Sequence, residues 1–279
     1  INIFVICGIE RTLISNVIHA LVKSIIFKYN FSLIFCSTNV EAKFPKIKLI
    51  YSLIIGALSI SLSLIINDNL SLIGNPVNSF EQFDKILEKN GCILYNMSYG
   101  SENTHLMWFV VSDVIRRTNF TIADNIIWKK KSALPNNVSP NKLTRITENV
   151  LVFCRKDEFK TFEANKEVTS VRPTGQKMYA NYFNFIEARN NDGANKLNKA
   201  TYSTDLILQL MNIYVKPDSL VYDPFSGTCT TQNACVIYGC DYIGSELSKA
   251  QVTEGEMRIN KTRESLNGNR FKSWIYKLY

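Results

Sequence analysis

The pattern of apolar and polar positions changes character near residue 79. Before it, the chain is rich in isoleucine, leucine and serine, with few acids and almost no turn residues. Within residues 49–66, an uncharged stretch of membrane-spanning length, Leu58-Ser59-Ile60-Ser61-Leu62-Ser63-Leu64 alternates strictly. A period of two is that of a half-buried strand and gives a lipid-facing helix nothing, so the alternation argues against a membrane span. Residues 14–35 carry a helical pattern with Lys23 and Lys28 on it. From Ser79 the pattern predicts helix over 80–87, a turn at Lys89-Asn90-Gly91 and strand over 92–97. Helix over 105–118 and strands over 121–128 and 148–154 follow. The last third predicts helix over 203–215, strand over 220–222, helix over 230–237, a short strand from Tyr242 and helix over 249–263. Such alternation is α/β architecture.

Between the strand over 148–154 and the helix from Ser203, no period is sustained, and residues 155–199 are rich in basic, amide and aromatic side chains. Loops of that length are usually functional, and this one reads as an insertion. The expected organisation is therefore an atypical hydrophobic segment, 1–78, followed by one domain, 79–279, holding the insertion. Net charge is +8 with a pI near 9.0, which favours an anionic partner such as nucleic acid, although an acidic membrane surface would also fit. Seven scattered cysteines without a Cys-x-x-Cys pair read as reduced thiols in an intracellular, cytoplasmic protein. The cationic start and small-residue cleavage site of a secretory signal are missing. His19 and His105 stand apart from any cysteine or carboxylate cluster, so no metal is expected.

Candidate chemistry concentrates at Val221-Tyr222-Asp223-Pro224-Phe225-Ser226-Gly227-Thr228-Cys229-Thr230-Thr231. There a buried strand breaks into a tight, small-residue turn that opens a helix, and Gly227 can take a backbone conformation denied to other residues. Tyr242-Ile243-Gly244-Ser245-Glu246-Leu247-Ser248 then reads as a second strand ending in an acid. A carboxylate at that place accepts hydrogen bonds from ribose hydroxyls, so the pair implies an adenosine-containing ligand. A nicotinamide-dependent oxidoreductase would need three spaced glycines, and of these only Gly227 is present.

These residues resemble the S-adenosylmethionine site of DNA amino-methyltransferases, in the circularly permuted class whose cofactor motif lies near the C-terminus. Ile127-Trp128-Lys129-Lys130 with Pro135 and Glu148 to Lys156, the turn at Lys89, and Asn198-Lys199-Ala200-Thr201-Tyr202 are similar to further segments of that family, in its order. The resemblance covers about residues 80–263. It implies a Rossmann-like methyltransferase fold, a mostly parallel sheet with helices on both faces. It also implies a methyl transfer from S-adenosylmethionine to adenine N6 or cytosine N4 of double-stranded DNA. The cofactor would be held by Asp223, Pro224, Phe225, Ser226, Gly227, Thr228, Glu246, Leu247 and Tyr202. Cys229 stands where the family usually has a second glycine, which predicts weakened binding.

The family activates its poorly nucleophilic aryl amine with an Asp, Asn or Ser followed by Pro-Pro and an aromatic residue. The nearest counterparts are Asn75-Pro76, with Val77 in place of the second proline and no aromatic residue before Phe80, and Asn67-Asp68-Asn69-Leu70, which has a carboxylate at Asp68 but no proline. Two readings stay open: an active methyltransferase using Asn75 and Pro76, and an inactive or truncated relative that binds cofactor and DNA without turnover. For DNA, Lys129, Lys130 and Lys131 beside Trp128 would hold phosphates next to a stacking surface, with Arg145, Arg155, Lys156, Lys160, Arg172 and Lys177 extending the basic character.

Overall fold

The computed structural model describes residues 3–9, 76–97, 106–193, 197, 201–216, 219–246 and 248–268. The strand pattern at 58–64, the membrane-length stretch 49–66, the helical pattern at 14–35, Asp68, Asn75 and Leu247 lie outside them. In chain order the strands are β1 (Ile3–Ile9), β2 (Leu87–Met97), β3 (Phe120–Lys130), β4 (Thr147–Arg155), β5 (Val168–Val171), β6 (Lys177–Tyr179), β7 (Phe185–Ala188), β8 (Leu220–Asp223) and β9 (Asp241–Gly244). The helices are α1 (Pro76–Asp84), α2 (Leu106–Arg117), α3 (Thr204–Tyr214), α4 (Thr230–Tyr238) and α5 (Lys249–Gly268). A seven-stranded sheet is ordered β7-β3-β4-β2-β1-β8-β9, and β5 and β6 form a separate hairpin. The pairings make β2, β3, β7, β8 and β9 run one way, while β1 and β4 run the other. β1 comes from the N-terminal segment that the sequence pattern sets apart, yet it lies in the middle of the sheet.

Strand alternation sends side chains to two cores. Cys92, Leu94, Ile126, Val150, Val152, Val221 and Tyr242 pack on one face under Leu206, Ile207, Leu210 and Met211 of α3, Ala234 and Cys235 of α4, and Val252 and Ile259 of α5. Ile93, Tyr95, Leu151, Phe153, Tyr222 and Ile243 point to the other face, under Phe80 and Phe83 of α1 and Met107, Val110, Val111 and Val114 of α2. Neighbouring strand residues therefore feed opposite cores, as a period of two requires, and helices cover both faces. Phe80 is fully buried, edge-on to Phe153 at 4.8 Å and to Phe120 at 5.3 Å between ring centroids. The apolar spacing of α3 is anchored at its start by Ser203, whose hydroxyl accepts the Leu206 N–H at 3.2 Å.

Two expectations are corrected here. The turn at Lys89-Asn90-Gly91 is instead an irregularity inside β2, where Asn90 is left-handed at φ 58°. Distant partners stabilise it: the Asn90 N–H donates to Glu158 at 2.8 Å, and Asn90 Oδ1 accepts the Thr161 hydroxyl at 2.8 Å. Arg155 and Lys156 lie beside Phe120, at the edge of the sheet where β3 begins and remote from the carboxyl ends of the parallel strands. Arg155 donates to the Asp84 carboxylate at 2.5 Å and to the carbonyls of Asp84, Leu87 and Glu88, so it closes the α1–β2 turn rather than facing DNA. Lys156 caps the Thr118 carbonyl at 2.7 Å.

Candidate cofactor site

All four residues of β8 are buried, because both faces of the sheet are covered here, and the strand ends at Asp223. Residues 224–229 then turn back sharply, with Gly227 at φ 51° and Cys229 at φ 59° both left-handed. Glycine adopts that region freely, whereas cysteine there carries about 1 kcal/mol or more of strain. The turn is stitched to the end of β9: Ser226 N–H donates to the Ser245 carbonyl at 2.8 Å, and Ser245 N–H to the Asp223 carbonyl at 3.0 Å. The Glu246 carboxylate accepts the Gly227 N–H at 2.9 Å through one oxygen and the Ser248 N–H at 2.9 Å through the other. Glycine turn and acid, nineteen positions apart in sequence, are thus directly bonded.

Behind the loop sits a polar cluster that sequence patterns do not reveal. Tyr202 donates its hydroxyl to Asp223 Oδ2 at 2.9 Å and lies 2.6 Å from the Thr231 hydroxyl, while Phe225 N–H donates to Asp223 Oδ1 at 3.0 Å. Burial pushes the Asp223 carboxyl up from 3.8 to about 6, against the lowering effect of hydrogen bonds from Thr231, the Phe225 N–H and Tyr202. Burial raises the Tyr202 hydroxyl well above its ordinary value, with the Asp223 charge adding to the effect. Asp223 and Tyr202 are both buried, so they shape the loop from within. Gln232 on α4 donates to Ser226 Oγ at 3.0 Å, and Gly244 makes room for it: a Cβ there would stand 2.3 Å from Gln232 Nε2 and 2.5 Å from Ser226 Oγ.

Gly255 on α5 plays the same part for Cys229, since a Cβ on it would approach the cysteine sulfur to 2.3 Å. The larger side chain at 229 is accommodated by a missing one at 255. Cys229 is disulfide-bonded, which corrects the expectation of seven reduced thiols; Cys92, Cys154, Cys235 and Cys240 are free and buried. Its sulfur is held in a buried turn between the loop and α5, a fixed position from which a covalent tie can form.

The loop offers two features to a ligand. Glu246 is oriented by two backbone donors at the tip of β9, and Thr228 Oγ1 is buried in the loop with no hydrogen-bond partner among the described residues. Pro76 is the first residue of α1, and the two-residue turn at 85–86 reverses the chain into β2. It therefore lies toward the carboxyl ends of the parallel strands, the end of the sheet that carries the loop.

The expected DNA contacts separate. Trp128 is 3% exposed and donates its indole N–H to the Ala188 carbonyl at 3.3 Å, so it is a core residue and not a stacking surface. Lys130 covers its ring at 5.3 Å and pairs with Glu148 at 2.5 Å. Lys129 pairs with Glu187 at 2.6 Å and holds that carboxyl below its usual range. Lys131 is exposed, and Arg145 lies in the loop between β3 and β4. Arg172 and Lys177 stand at the turn of the exposed β5–β6 hairpin, where Gly175 is left-handed at φ 81° and Arg172 reaches Gln176 at 3.2 Å. Among the described residues no group of His, Cys, Asp and Glu is placed to hold a metal, and no helix is long and apolar enough to cross a membrane.

Comparison with known proteins accords with this geometry. The type II methyltransferase M2.MboI of Moraxella bovis is 26% identical over 212 residues, 76% of this chain and 74% of its own. The type II methyltransferase M.HinfI of Haemophilus influenzae is 22% identical over 186 residues, 66% of this chain, and the chain spans about half of that relative's length. The solved structure of the cytosine-N4-specific PvuII DNA methyltransferase superposes with a TM-score of 0.53 at 17% identity, covering 72% of this chain and 79% of that one. The model of the family described as DNA methylase matches residues 70–257, two thirds of the sequence, and the chain belongs to that family.

Proposed function

We propose that this protein transfers a methyl group from S-adenosylmethionine to an exocyclic amino nitrogen of double-stranded DNA, adenine N6 or cytosine N4, in a restriction-modification setting. The observation that carries the reading is the direct bond between the Gly227 turn and Glu246 at the carboxyl ends of the parallel neighbours β8 and β9. Bound S-adenosylmethionine would supply an electrophilic sulfonium methyl to the amino nitrogen, with S-adenosylhomocysteine and one proton as the other products. Glu246 accepts the ribose hydroxyls, the 224–228 backbone and Leu247 wall the ligand, and Tyr202 and Asp223 fix the loop from behind. Asn75, beside Pro76, is the candidate acceptor for the amino hydrogens. The loop follows the 76–199 segment in sequence, which supports the permuted class.

DNA lies along the carboxyl ends of the strands. Lys131 and Arg145 contact phosphates, and the β5–β6 ribbon, bearing Arg172 and Lys177, has the form that a major groove admits. A second reading, binding without turnover, is favoured by one observation: Phe80, the first aromatic residue after Asn75-Pro76, is wholly buried and offers no ring to a flipped base. Titration with labelled S-adenosylmethionine tests the first step, with Glu246→Gln expected to weaken binding about tenfold or more. Absence of cofactor binding by the parent protein refutes both readings. Cofactor and duplex binding without label entering DNA selects the second.

A further inference from the structure

A loop closed on itself connects β3 to β4. The Lys130 N–H donates to the Ile146 carbonyl at 2.8 Å and closes its neck. Asn136 is the staple inside: its side-chain amide donates to the Lys142 carbonyl at 3.0 Å, its N–H donates to the Thr144 hydroxyl at 3.0 Å, and its Oδ1 accepts the Ser139 N–H at 3.4 Å. Loops packed by their own side chains in this way hold a shape. Two bonds tie it to the segment after β7: Asn190 Nδ2 to the Ser132 carbonyl at 2.7 Å and Lys131 N–H to the Ala188 carbonyl at 3.1 Å.

Between loop and segment lies a cavity of about 720 Å³, whose lining includes Lys130, Leu134, Asn136, Lys142, Arg145 and Asn190. Among the described residues its lining holds three cations and no carboxylate; Glu148, the partner of Lys130, stands outside it. Asn190 also carries a buried Oδ1 that accepts no hydrogen bond among the described residues. Cations for phosphate, an amide acceptor for a base or water hydrogen, and leucine side chains for a sugar make a nucleotide-sized recess. β3 and β8 run the same way, so the recess opens at the same end of the sheet as the cofactor loop. It is four strands away in the order β3-β4-β2-β1-β8. At about 4.8 Å per strand that is about 19 Å, or between five and six base steps of about 3.4 Å.

We propose that this pocket seats one nucleotide of the DNA flank, its phosphate against Lys142 and Arg145, between about five and six base pairs along the duplex from the position facing the cofactor loop. The proposal rests on the DNA reading above and fixes where the duplex runs. Lys142 is exposed, and Lys142→Ala keeps the backbone carbonyl that accepts the Asn136 amide. Binding of a duplex of about 30 base pairs is measured across a salt series, and each phosphate contact contributes about 0.9 to the slope of log affinity against log salt. Lys142→Ala is expected to lower that slope by about 1 and Lys142→Arg to restore it. Hydrogen exchange of the 132–146 amides is expected to slow when the duplex is added to the parent protein. A parent that binds duplex with the loop amides unprotected, or an Ala variant with an unchanged slope, overturns the pocket and leaves the DNA reading standing. A parent that binds no duplex overturns both.

Discussion

Replacing Asp223 by asparagine isolates the charge at the root of the cofactor loop. The carboxyl is 1% exposed and raised from 3.8 to about 6, chiefly by burial. The folded state therefore holds the proton more tightly than the unfolded state. This contribution to stability is fully present below the unfolded value and is lost as pH rises through about 6. The interval from 3.8 to about 6 corresponds to about 3 kcal/mol, of which about 2 kcal/mol falls between about pH 4.5 and about pH 7.5. Asparagine keeps the volume and an oxygen for the Phe225 N–H, and its amide can donate to the Tyr202 oxygen, freeing that hydroxyl for Thr231. The charge-assisted hydrogen bonds that asparagine gives up are already contained in the value of about 6, because they lower it against the effect of burial. The variant's stability relative to the parent should thus improve by about 2 kcal/mol across that pH range. Urea unfolding followed by circular dichroism at several pH values measures it. Parallel pH profiles for parent and variant would show that Asp223 is not the buried, raised group described here.

Phe80→Ala removes the hub of the aromatic cluster and should cost about 3–5 kcal/mol in urea unfolding. Gly255→Ala should destabilise by about 1–3 kcal/mol through its clash with Cys229, and adding Cys229→Gly under reducing conditions should recover part of that loss; a purely additive double-mutant cycle would refute the contact. Arg155→Met leaves the carbonyls of Asp84, Leu87 and Glu88 and the Asp84 carboxylate without their donor, and should cost about 3 kcal/mol while leaving cofactor affinity unchanged in titration.

The elements around the loop were legible because β8, α4 and β9 announce themselves locally: an apolar run, a small-residue turn and a second apolar run ending in an acid. The period of two also placed β3 and β4 within a residue or two. What was not legible depends on partners far away in sequence. Asn90 stays inside a strand because Glu158 and Thr161 satisfy it. Trp128 adjoins three lysines in sequence, but its strand turns the ring into the core. Arg155 belongs to a strand that runs opposite to β3, which carries it to the end away from the site. The Tyr202, Asp223 and Thr231 cluster and the exchange between Cys229 and Gly255 join elements that no window of sequence contains.

The central place of β1 bears on how the chain reaches its folded state. Its Cys7 pairs with Cys92 on one side and with Val221 on the other. The middle of the sheet therefore joins Cys7 to Val221, residues 214 positions apart in sequence. Until β8 has been synthesised, β1 has an unfilled hydrogen-bonding edge and the sheet cannot close. Such long-range pairing slows folding and exposes strand edges meanwhile. Closure is thus expected only once β8 has been made, and until then the β1 edge stays open to wrong partners.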